Sequence, residues 1–248
     1  TRYISVTGVQ TCALPIYYPR FYNRDQMMNM NYIRVTKGLV DKGQLISPSE
    51  LYSYVTDSEK DYYASVYHYN DEQYEQFKKT GSIRGINDVT TNALIFDFDS
   101  KTDLEKTRTD ALTAIDRLKK YGVKDSAVQI YFSGNKGFTV QVELNKSLSP
   151  DQARAIALKK IAYGLETADS SVYDASQIIR VPGTKHPKSG LYKVPLTLNQ
   201  LSSLSIDDIK KYASSLDNVK DDFEWNAATP NEELFKRSEE HTSELQSH

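Results

Sequence analysis

The chain has 248 residues, 39% of them hydrophobic, and its 31 basic and 33 acidic residues give a formal net charge of −2. A charge this close to zero exerts no global attraction on nucleic acid, so any such binding must depend on a local basic patch. No apolar run approaches the roughly 18 residues of a membrane span, and no secretory apolar segment is evident, so we expect a cytoplasmic protein.

Both ends of the sequence are expected to be foreign to the fold. The tail RSEEHTSELQSH and the stretch VTGVQTCALPI near the start are translations of one DNA sequence and of its reverse complement. That DNA resembles a common short-read sequencing adapter, so we interpret residues 1–16 and 237–248 as adapter-derived and exclude them. The missing initiator Met indicates a fragment of a longer reading frame. The only cysteine, Cys12, lies in the excluded part, which rules out disulfides and a cysteine-based zinc site elsewhere.

The first half of the remaining chain predicts short, mixed elements. Residues 17–46 are rich in tyrosine and methionine and allow no assignment. Ser47-Pro48-Ser49-Glu50 predicts a helix start, with Ser as N-cap, Pro in the first turn and Glu completing the capping box. The next predicted elements are a strand near 64–69, a helix from Asp71 to Lys79, a loop bounded by Gly81 and Gly85, and a strand Ala93–Phe98.

The second half predicts longer elements. Thr102-Asp103-Leu104-Glu105 has the form of a capping box, and apolar residues follow at helical spacing as far as Leu118. The later predictions are strands Val128–Phe132 and Phe138–Leu144 joined by the turn 133–137, a helix from Ser149 to about Glu166, strands Ile178–Val181 and Leu191–Leu198 around the loop 182–190, a helix starting at Ser205, and a polar linker over 217–236. This order predicts an α+β (or α/β) domain with a mixed β-sheet flanked by helices.

The segment LIFDFDS at 94–100 places two carboxylates on one face of a strand. Asp97 and Asp99 are two residues apart, and side chains alternate between the faces of a strand, so both point the same way. Adjacent carboxylates repel each other unless a proton or a cation lies between them. The pair therefore indicates a Mg²⁺ or Mn²⁺ site. The alternative is a solvated strand end that caps the helix beginning near Thr102.

Two further segments carry groups that suit phosphate. The turn Ser133-Gly134-Asn135-Lys136-Gly137 offers backbone N–H groups and a lysine that can cradle a phosphate, although an ordinary hairpin turn is the simpler interpretation. The loop RVPGTKHPKSG, with LYKV after it, contains Arg180, Lys185, His186, Lys188 and Lys193. It suits a triphosphate or a nucleic-acid backbone, or it is a solvated basic loop. His68 and an isolated His186 would more often be structural.

Taken together, these segments resemble the catalytic core of the archaeo-eukaryotic primase superfamily, which includes primase-polymerases of phages and plasmids. The family has an apolar run ending in Asp-x-Asp, here LIFDFD, then Ser-Gly-x-x-Gly-x-His, here SGNKGFT. Its third motif is an aspartate followed by a loop of the type Arg-x-Pro-x-Ser/Thr-x-His-x-Lys-Ser/Thr-Gly, here RVPGTKHPKSG. The match covers roughly 90–197, the motifs are in the right order, and the third is the most specific.

The resemblance implies a site and a fold. Asp97 and Asp99 resemble the catalytic metal-binding pair, with Asp169 as the third carboxylate and Asp174 as the alternative. Residues that resemble the nucleotide-binding contacts of the family are Ser133, Asn135, Lys136, Thr139, Arg180, His186 and Lys188. The implied fold is an RRM-like primase-polymerase core over 17–216, with an N-terminal part 17–90, a motif-bearing core 91–198 and a C-terminal helix 199–216.

The implied activity is template-directed, two-metal nucleotidyl transfer from NTPs or dNTPs in DNA replication, of viral or mobile-element origin. The implied cofactors are Mg²⁺ or Mn²⁺. The implied partners are nucleoside triphosphates, a single-stranded DNA template and primer, and a helicase domain or protein encoded beyond this fragment; a membrane is not among them. If the source is a virus, the compartment is the host cytoplasm. The sequence itself contains no P-loop motif.

One departure and two alternatives accompany the resemblance. Thr139 stands where the family usually has histidine, and a threonine can donate a hydrogen bond but cannot carry charge. This favours, as an alternative, a catalytically weakened nucleic-acid-binding module. The segment LIFDFDS also resembles the start of haloacid-dehalogenase-type phosphatases, but Lys101 occupies the Thr/Val position of that motif and the later basic loop lacks the acidic pair.

Overall fold

A computed structural model describes residues 32–218 and 227–236. The predictions for residues 1–31 and 237–248, including their adapter origin, and for most of the linker lie outside this part of the chain. The described elements are, in chain order, β1 Tyr32–Lys37, β2 Gln44–Ile46, α1 Leu51–Tyr54, β3 Tyr62–Tyr69, α2 Asp71–Thr80, β4 Thr91–Asp99, α3 Leu104–Lys120, β5 Val128–Phe132, β6 Gly137–Leu148, α4 Pro150–Ile156, β7 Ile178–Arg180, β8 Val194–Leu196, α5 Leu198–Ser203 and α6 Ile206–Tyr212. None of the described helices is long and apolar enough to cross a bilayer.

The named strands form two antiparallel four-stranded sheets. The first sheet has the order β2-β1-β3-β7 and the second has the order β4-β6-β5-β8. The predicted α+β class with flanking helices is therefore confirmed, but the strands form two sheets rather than one mixed sheet. The difference involves β1 and β2, which lie in a segment whose composition allowed no assignment. β1 pairs with β2 on one side and with β3 on the other.

Several predicted boundaries differ from the structure for local reasons. The helix expected after Ser47 is a single 3₁₀ turn, Pro48–Glu50, followed only by the short α1. Helix α3 is capped by Asp103 rather than Thr102, since the Asp103 side chain accepts from Lys106 N. Helix α4 continues as a π-helical turn only to Ile161 rather than Glu166.

The predicted strand 191–198 is shorter in the structure. Only Val194–Leu196 belong to β8, because the side chain of Thr197 accepts a hydrogen bond from Gln200 N and starts α5 instead. The residues just before Val194 therefore belong to the basic loop rather than to a strand. Strand β8 pairs with β5 in a register that places Val194 opposite Phe132. The loop thus enters the second sheet beside the β5–β6 turn.

Strand β4 is buried on both faces along most of its length. Leu94, Phe96 and Phe98 belong to the same apolar cluster as the buried residues of α3. On the opposite face, Ala93 and Ile95 line a cavity of about 30 Å³ that is shared with residues of β3 and β7 in the first sheet. The face of β4 that meets the first sheet is therefore the face that continues to Asp97 and Asp99.

Candidate active site

The two carboxylates of β4 lie where its inter-sheet face changes from apolar to acidic. Ala93 and Ile95 are 7% and 3% exposed, whereas Asp97 and Asp99, next on the same face, are only partly buried. Both aspartates belong to the strand and are paired with β6, Asp97 opposite Thr139 and Asp99 opposite Gly137. The strand geometry thus fixes their common orientation, and the solvated-cap alternative does not describe Asp97.

Asp97 is the more enclosed of the pair. Thr139 Oγ1 donates a hydrogen bond of 2.9 Å to Asp97 Oδ1. Burial, and then repulsion by Asp99, raise the pKa of Asp97 to about 6, although the charge of Lys193 and the Thr139 hydrogen bond both favour its ionised form. Thr139, which the sequence assigned to the nucleotide, in the structure holds a carboxylate.

Asp99 has a cation of its own. Lys136 Nζ lies 2.6 Å from Asp99 Oδ2, and this contact raises the pKa of the lysine. The approach depends on Gly137, because a Cβ at that position would lie 1.9 Å from Phe98 O and 2.5 Å from Asp99 Oδ1. Gly137 therefore allows the turn to contact the acidic end of β4, which comprises Asp97 and Asp99.

The Ser133–Gly137 turn and the basic loop are joined by a hydrogen bond and a close backbone contact. Ser133 Oγ accepts hydrogen bonds from the backbone N–H groups of Asn135 and Gly137, so its oxygen is directed into the turn. The hydroxyl of Ser189 in the basic loop donates to Gly134 O. Gly134 has φ +79° and a Cβ there would lie 2.8 Å from Leu191 O, so only glycine fits this contact without strain.

Asp169, rather than Asp174, is adjacent to the acidic pair. The backbone of the segment 167–169 runs along the edge of β4, with Asp99 N donating to Thr167 O and Asp169 N donating to Asp97 O, both at 2.8 Å. Asp174 is exposed and lies 3.8 Å from Arg154. The Asp169 carboxylate itself accepts from Ser171 N.

A buried carboxylate that the sequence did not single out holds this segment in place. Asp110 of α3 is 3% exposed, and its Oδ2 accepts from both the N–H and the hydroxyl of Thr167, at 3.0 and 2.8 Å. One sign of this role is present in the sequence: Asp110 is an acidic residue on the side of α3 that carries the buried apolar residues. Asp110 therefore fixes the backbone that brings Asp169 to Asp97.

Two cations lie near enough to the acidic pair for their charges to interact with it. Arg180 ends β7 in the first sheet, and its Nε and Nη1 are buried with no hydrogen-bond partner among the described residues. Lys193 is 2% exposed, and its Nζ lies 5.2 Å from the centre of the Tyr131 ring. Burial lowers the pKa of Lys193 to about 8, while the charges of Asp97 and Asp99 act in the opposite direction.

The other cations of the basic loop differ in their surroundings. His186 Nδ1 accepts from the N–H groups of Lys188 and Ser189, at 3.1 and 3.3 Å. Burial, and then the charges of Arg180 and Lys188, lower the pKa of His186 to about 4, so at neutral pH its proton is on Nε2. Lys188 is exposed, whereas Lys185 forms an ion pair with Glu59 outside the acidic end.

Five of the predicted site residues are linked by contacts at the acidic end of β4, namely Asp97, Asp99, Lys136, Thr139 and Asp169. Arg180 and His186 interact with its charges. The hydrogen bonds of Ser133, Asn135 and Lys188 lie within the turn and the basic loop. The sequence predicted Lys193 only as one charge of the basic loop, although a lysine inside the apolar run LYKVPL is a recognisable signal of a buried cation. Within residues 32–218 and 227–236, no three acidic, histidine or cysteine side chains already cluster closely enough to hold a metal ion. The two aspartates, with Asp169 beside them, nevertheless provide the hard oxygen ligands that divalent cations prefer.

Comparisons with known proteins find likeness in structure alone. No protein-family model and no curated protein sequence matches the chain. The structure is similar to the polymerase domain of ligase D from Mycobacterium tuberculosis, solved in complex with DNA, with a TM-score of 0.48 and 15% identity over 79% of this chain and 76% of that one. It is also similar to the primase-polymerase domain of cyanophage S-2L, with a TM-score of 0.40 and 16% identity over 77% of this chain and 98% of that one.

Proposed function

We propose that the chain is a primase-polymerase of the archaeo-eukaryotic primase superfamily, which transfers nucleotides from NTPs or dNTPs to a primer on a DNA template with Mg²⁺ or Mn²⁺. The observation that supports this most is the meeting of three separate motifs at one point. The acidic end of β4 lies beside the Ser133–Gly137 turn, and the charges of Arg180 and Lys193 interact with it. Carboxylates facing cations are the arrangement that binding a metal–triphosphate complex requires.

The metal ligands in this proposal are Asp97, Asp99 and Asp169. Asp97, oriented by Thr139, and Asp99, paired with Lys136, would hold the ion through their carboxylate oxygens. Asp169 would be the third ligand, since its backbone N–H is already hydrogen-bonded to Asp97 O; its carboxylate, which now accepts from Ser171 N, would have to turn toward Asp97. When bound, divalent ions lower the pKa of an attacking 3′-hydroxyl and neutralise the departing pyrophosphate.

The triphosphate contacts in this proposal come from both sides of the acidic end. Arg180 has a planar guanidinium with buried, unsatisfied N–H groups, which is suited to bidentate phosphate binding. His186 is neutral and presents Nε2–H as a donor, and the exposed Lys188 adds a charge. Ser133 and Asn135 contribute through the turn that carries Lys136, whose backbone the Ser133 hydrogen bonds hold in place.

A nucleic-acid-binding module without catalysis is the second candidate. The Lys136–Asp99 ion pair favours it, because the pair neutralises one carboxylate without a metal. The two candidates differ in a simple assay. The module would bind DNA in a salt-sensitive manner and yield no product with any divalent ion.

The test of the proposed activity is incorporation of labelled nucleotide into a primed single-stranded DNA template. We expect product with Mg²⁺ or Mn²⁺ and none with a chelator. The double variant Asp97→Asn/Asp99→Asn keeps the shape of both side chains and removes both charges, so it should abolish incorporation. Full activity of the double variant would show that these carboxylates are not the metal ligands.

A further inference from the structure

The two carboxylates of the acidic end differ in how their counter-charges are held. Asp97 accepts a hydrogen bond from the buried Thr139 and interacts electrostatically with Lys193, which is itself 2% exposed. Asp99 is bonded to Lys136, and the side chains of that pair are 22% and 44% exposed. A cation enclosed by protein cannot leave its position, whereas a half-exposed lysine on a flexible four-carbon stem can.

The backbone on both sides of the Lys136–Asp99 pair is fixed. Ser100 N donates to Lys136 O at 3.0 Å, and Ser133 N donates to Gly137 O at 2.9 Å. Gly137 is pressed against Phe98 O so closely that no Cβ fits. Release of Asp99 therefore requires only rotation of the Lys136 side chain and leaves the turn where it is.

Lys136 and a divalent ion compete for the same carboxylate. Lys136 Nζ lies 2.6 Å from Asp99 Oδ2. A carboxylate oxygen must be free of such a partner before it can coordinate a metal ion. A metal ion alone must displace the ammonium into water. When a triphosphate arrives with the metal, the displaced ammonium gains a new anionic partner.

On these grounds we propose that Lys136 is an exchangeable internal counter-ion, which blocks Asp99 against metal alone and moves to the triphosphate when metal and nucleotide bind together. This inference rests on the proposed function and adds the order in which the site is loaded. Its consequence is positive coupling between the two ligands. Lys136 opposes metal binding in the free protein and supports nucleotide binding in the loaded one, so its removal changes the two affinities in opposite directions.

The experiment measures Mn²⁺ binding by electron paramagnetic resonance, first without nucleotide, for the wild type and three variants. Lys136→Gln removes the competing charge, and we expect Mn²⁺ to bind about three- to tenfold more tightly, as for loss of a half-exposed ion pair. Lys136→Arg retains the ion pair and should bind Mn²⁺ as the wild type does. Lys101→Gln is the matched control, since it removes the same charge from an exposed position two residues beyond Asp99.

The second measurement is the affinity for a non-hydrolysable nucleoside triphosphate analogue at saturating Mn²⁺, by calorimetry. Lys136→Gln should bind the analogue about tenfold or more weakly than Lys101→Gln, because one charged phosphate contact is lost. The inference is overturned if Lys136→Gln binds Mn²⁺ no more tightly than Lys101→Gln in the absence of nucleotide, or if its affinity for the analogue is unchanged.

Failure of this inference is distinguishable from failure of the proposed function. If all proteins bind Mn²⁺ and the analogue together but Lys136→Gln shows no gain for Mn²⁺ alone, the exchange is wrong and the nucleotide site stands. If the wild type and Lys136→Gln both bind no Mn²⁺ even with the analogue, the metal site itself is wrong and both proposals fall.

Discussion

Thr139 Oγ1 donates a 2.9 Å hydrogen bond to Asp97 Oδ1 across paired positions of β6 and β4. The bond orients one carboxylate of the proposed metal pair, and a hydrogen bond to a charged group contributes about 1.5–3 kcal/mol. We therefore expect Thr139→Val, which keeps the shape and removes the hydroxyl, to lower kcat/KM for nucleotide incorporation about tenfold or more. Thr139→Ser should stay within about threefold of the wild type. Equal activity of the Val and Ser variants would contradict the orienting role.

The same position tests whether threonine is a defect relative to histidine. Thr139 is 2% exposed between β4 and β5, so a larger ring has no space there without repacking. We expect Thr139→His to lower the free energy of unfolding by about 1–3 kcal/mol and to bring no gain in nucleotide affinity. Denaturant unfolding and calorimetry measure the two quantities. A tighter nucleotide complex in this variant would show that the chain has lost a contact that histidine supplies.

Gly137 is expected to be essential to the contact between the turn and β4. A Cβ at this position would lie 1.9 Å from Phe98 O, a backbone atom that cannot move aside alone. Gly137→Ala should therefore reduce the free energy of unfolding by about 3 kcal/mol and also reduce incorporation. Gly85→Ala is the control, because Gly85 has φ +82° but open space around it, and we expect a loss of only about 1 kcal/mol. Similar losses in the two variants would contradict the close approach.

Two cations of the basic loop are expected to differ in function. Arg180 has buried N–H groups without a partner among the described residues, whereas Lys185 is paired with Glu59. Arg180→Met should raise KM for the nucleotide about tenfold or more, as for loss of a charged phosphate contact. Lys185→Met should change KM less than about threefold, since its charge is already neutralised elsewhere. Steady-state kinetics with each variant decide the matter, and a larger effect at Lys185 would reverse the assignment.

Glu143 gives a pH dependence that is independent of the acidic pair. It is 5% exposed, and burial raises its pKa from 4.5 to about 7, with a Gln129 hydrogen bond acting in the opposite direction. Between about pH 4.5 and 7, the carboxyl group of Glu143 is therefore protonated in the folded state and ionised in the unfolded state. The resulting contribution to stability is complete below about pH 4.5 and disappears as the pH rises through about 7.

Substitution of Glu143 by glutamine should remove this dependence. At pH 8 we expect the free energy of unfolding of Glu143→Gln to exceed that of the wild type by on the order of 2 kcal/mol. At pH 4.5 the two proteins should be equally stable. The exposed Glu166→Gln is the control and should change stability little at either pH. Urea unfolding at the two pH values measures the effect. A Glu143→Gln variant that is less stable at pH 8 would show that the buried carboxylate is compensated.

Local rules predicted the parts of the site that lie within single elements. The common face of Asp97 and Asp99 follows from the period of a strand, and the turn before Gly137 follows from its glycines. What the sequence could not provide is contact between distant segments. The hydrogen bond between Asp169 N and Asp97 O joins residues that are separated in the chain by two helices, α3 and α4, and two strands, β5 and β6. It depends on Asp110, which looks like an ordinary polar residue of α3.

The division into two sheets was unpredictable for a related physical reason. Strand β1 lies in the tyrosine- and methionine-rich segment 17–46, to which no element was assigned. Its short alternation of Ile33 and Val35 with polar residues becomes a strand by pairing with β3 about 30 residues later. The sequence predicted the charge of Lys193 but not its burial. A lysine is buried only where folding brings it to carboxylates, here Asp97 and Asp99. The sequence therefore indicated which motifs matter, and tertiary pairing determines how close they come.

The most direct test of template-directed synthesis is nucleotide choice on defined templates. Four primed single-stranded DNA templates that differ in one templating base are each offered the four labelled nucleoside triphosphates singly, with Mn²⁺ or Mg²⁺. The proposed function predicts incorporation of the complementary nucleotide on each template and none by Asp97→Asn/Asp99→Asn. Incorporation that ignores the template base, or that survives in the double variant, would contradict it.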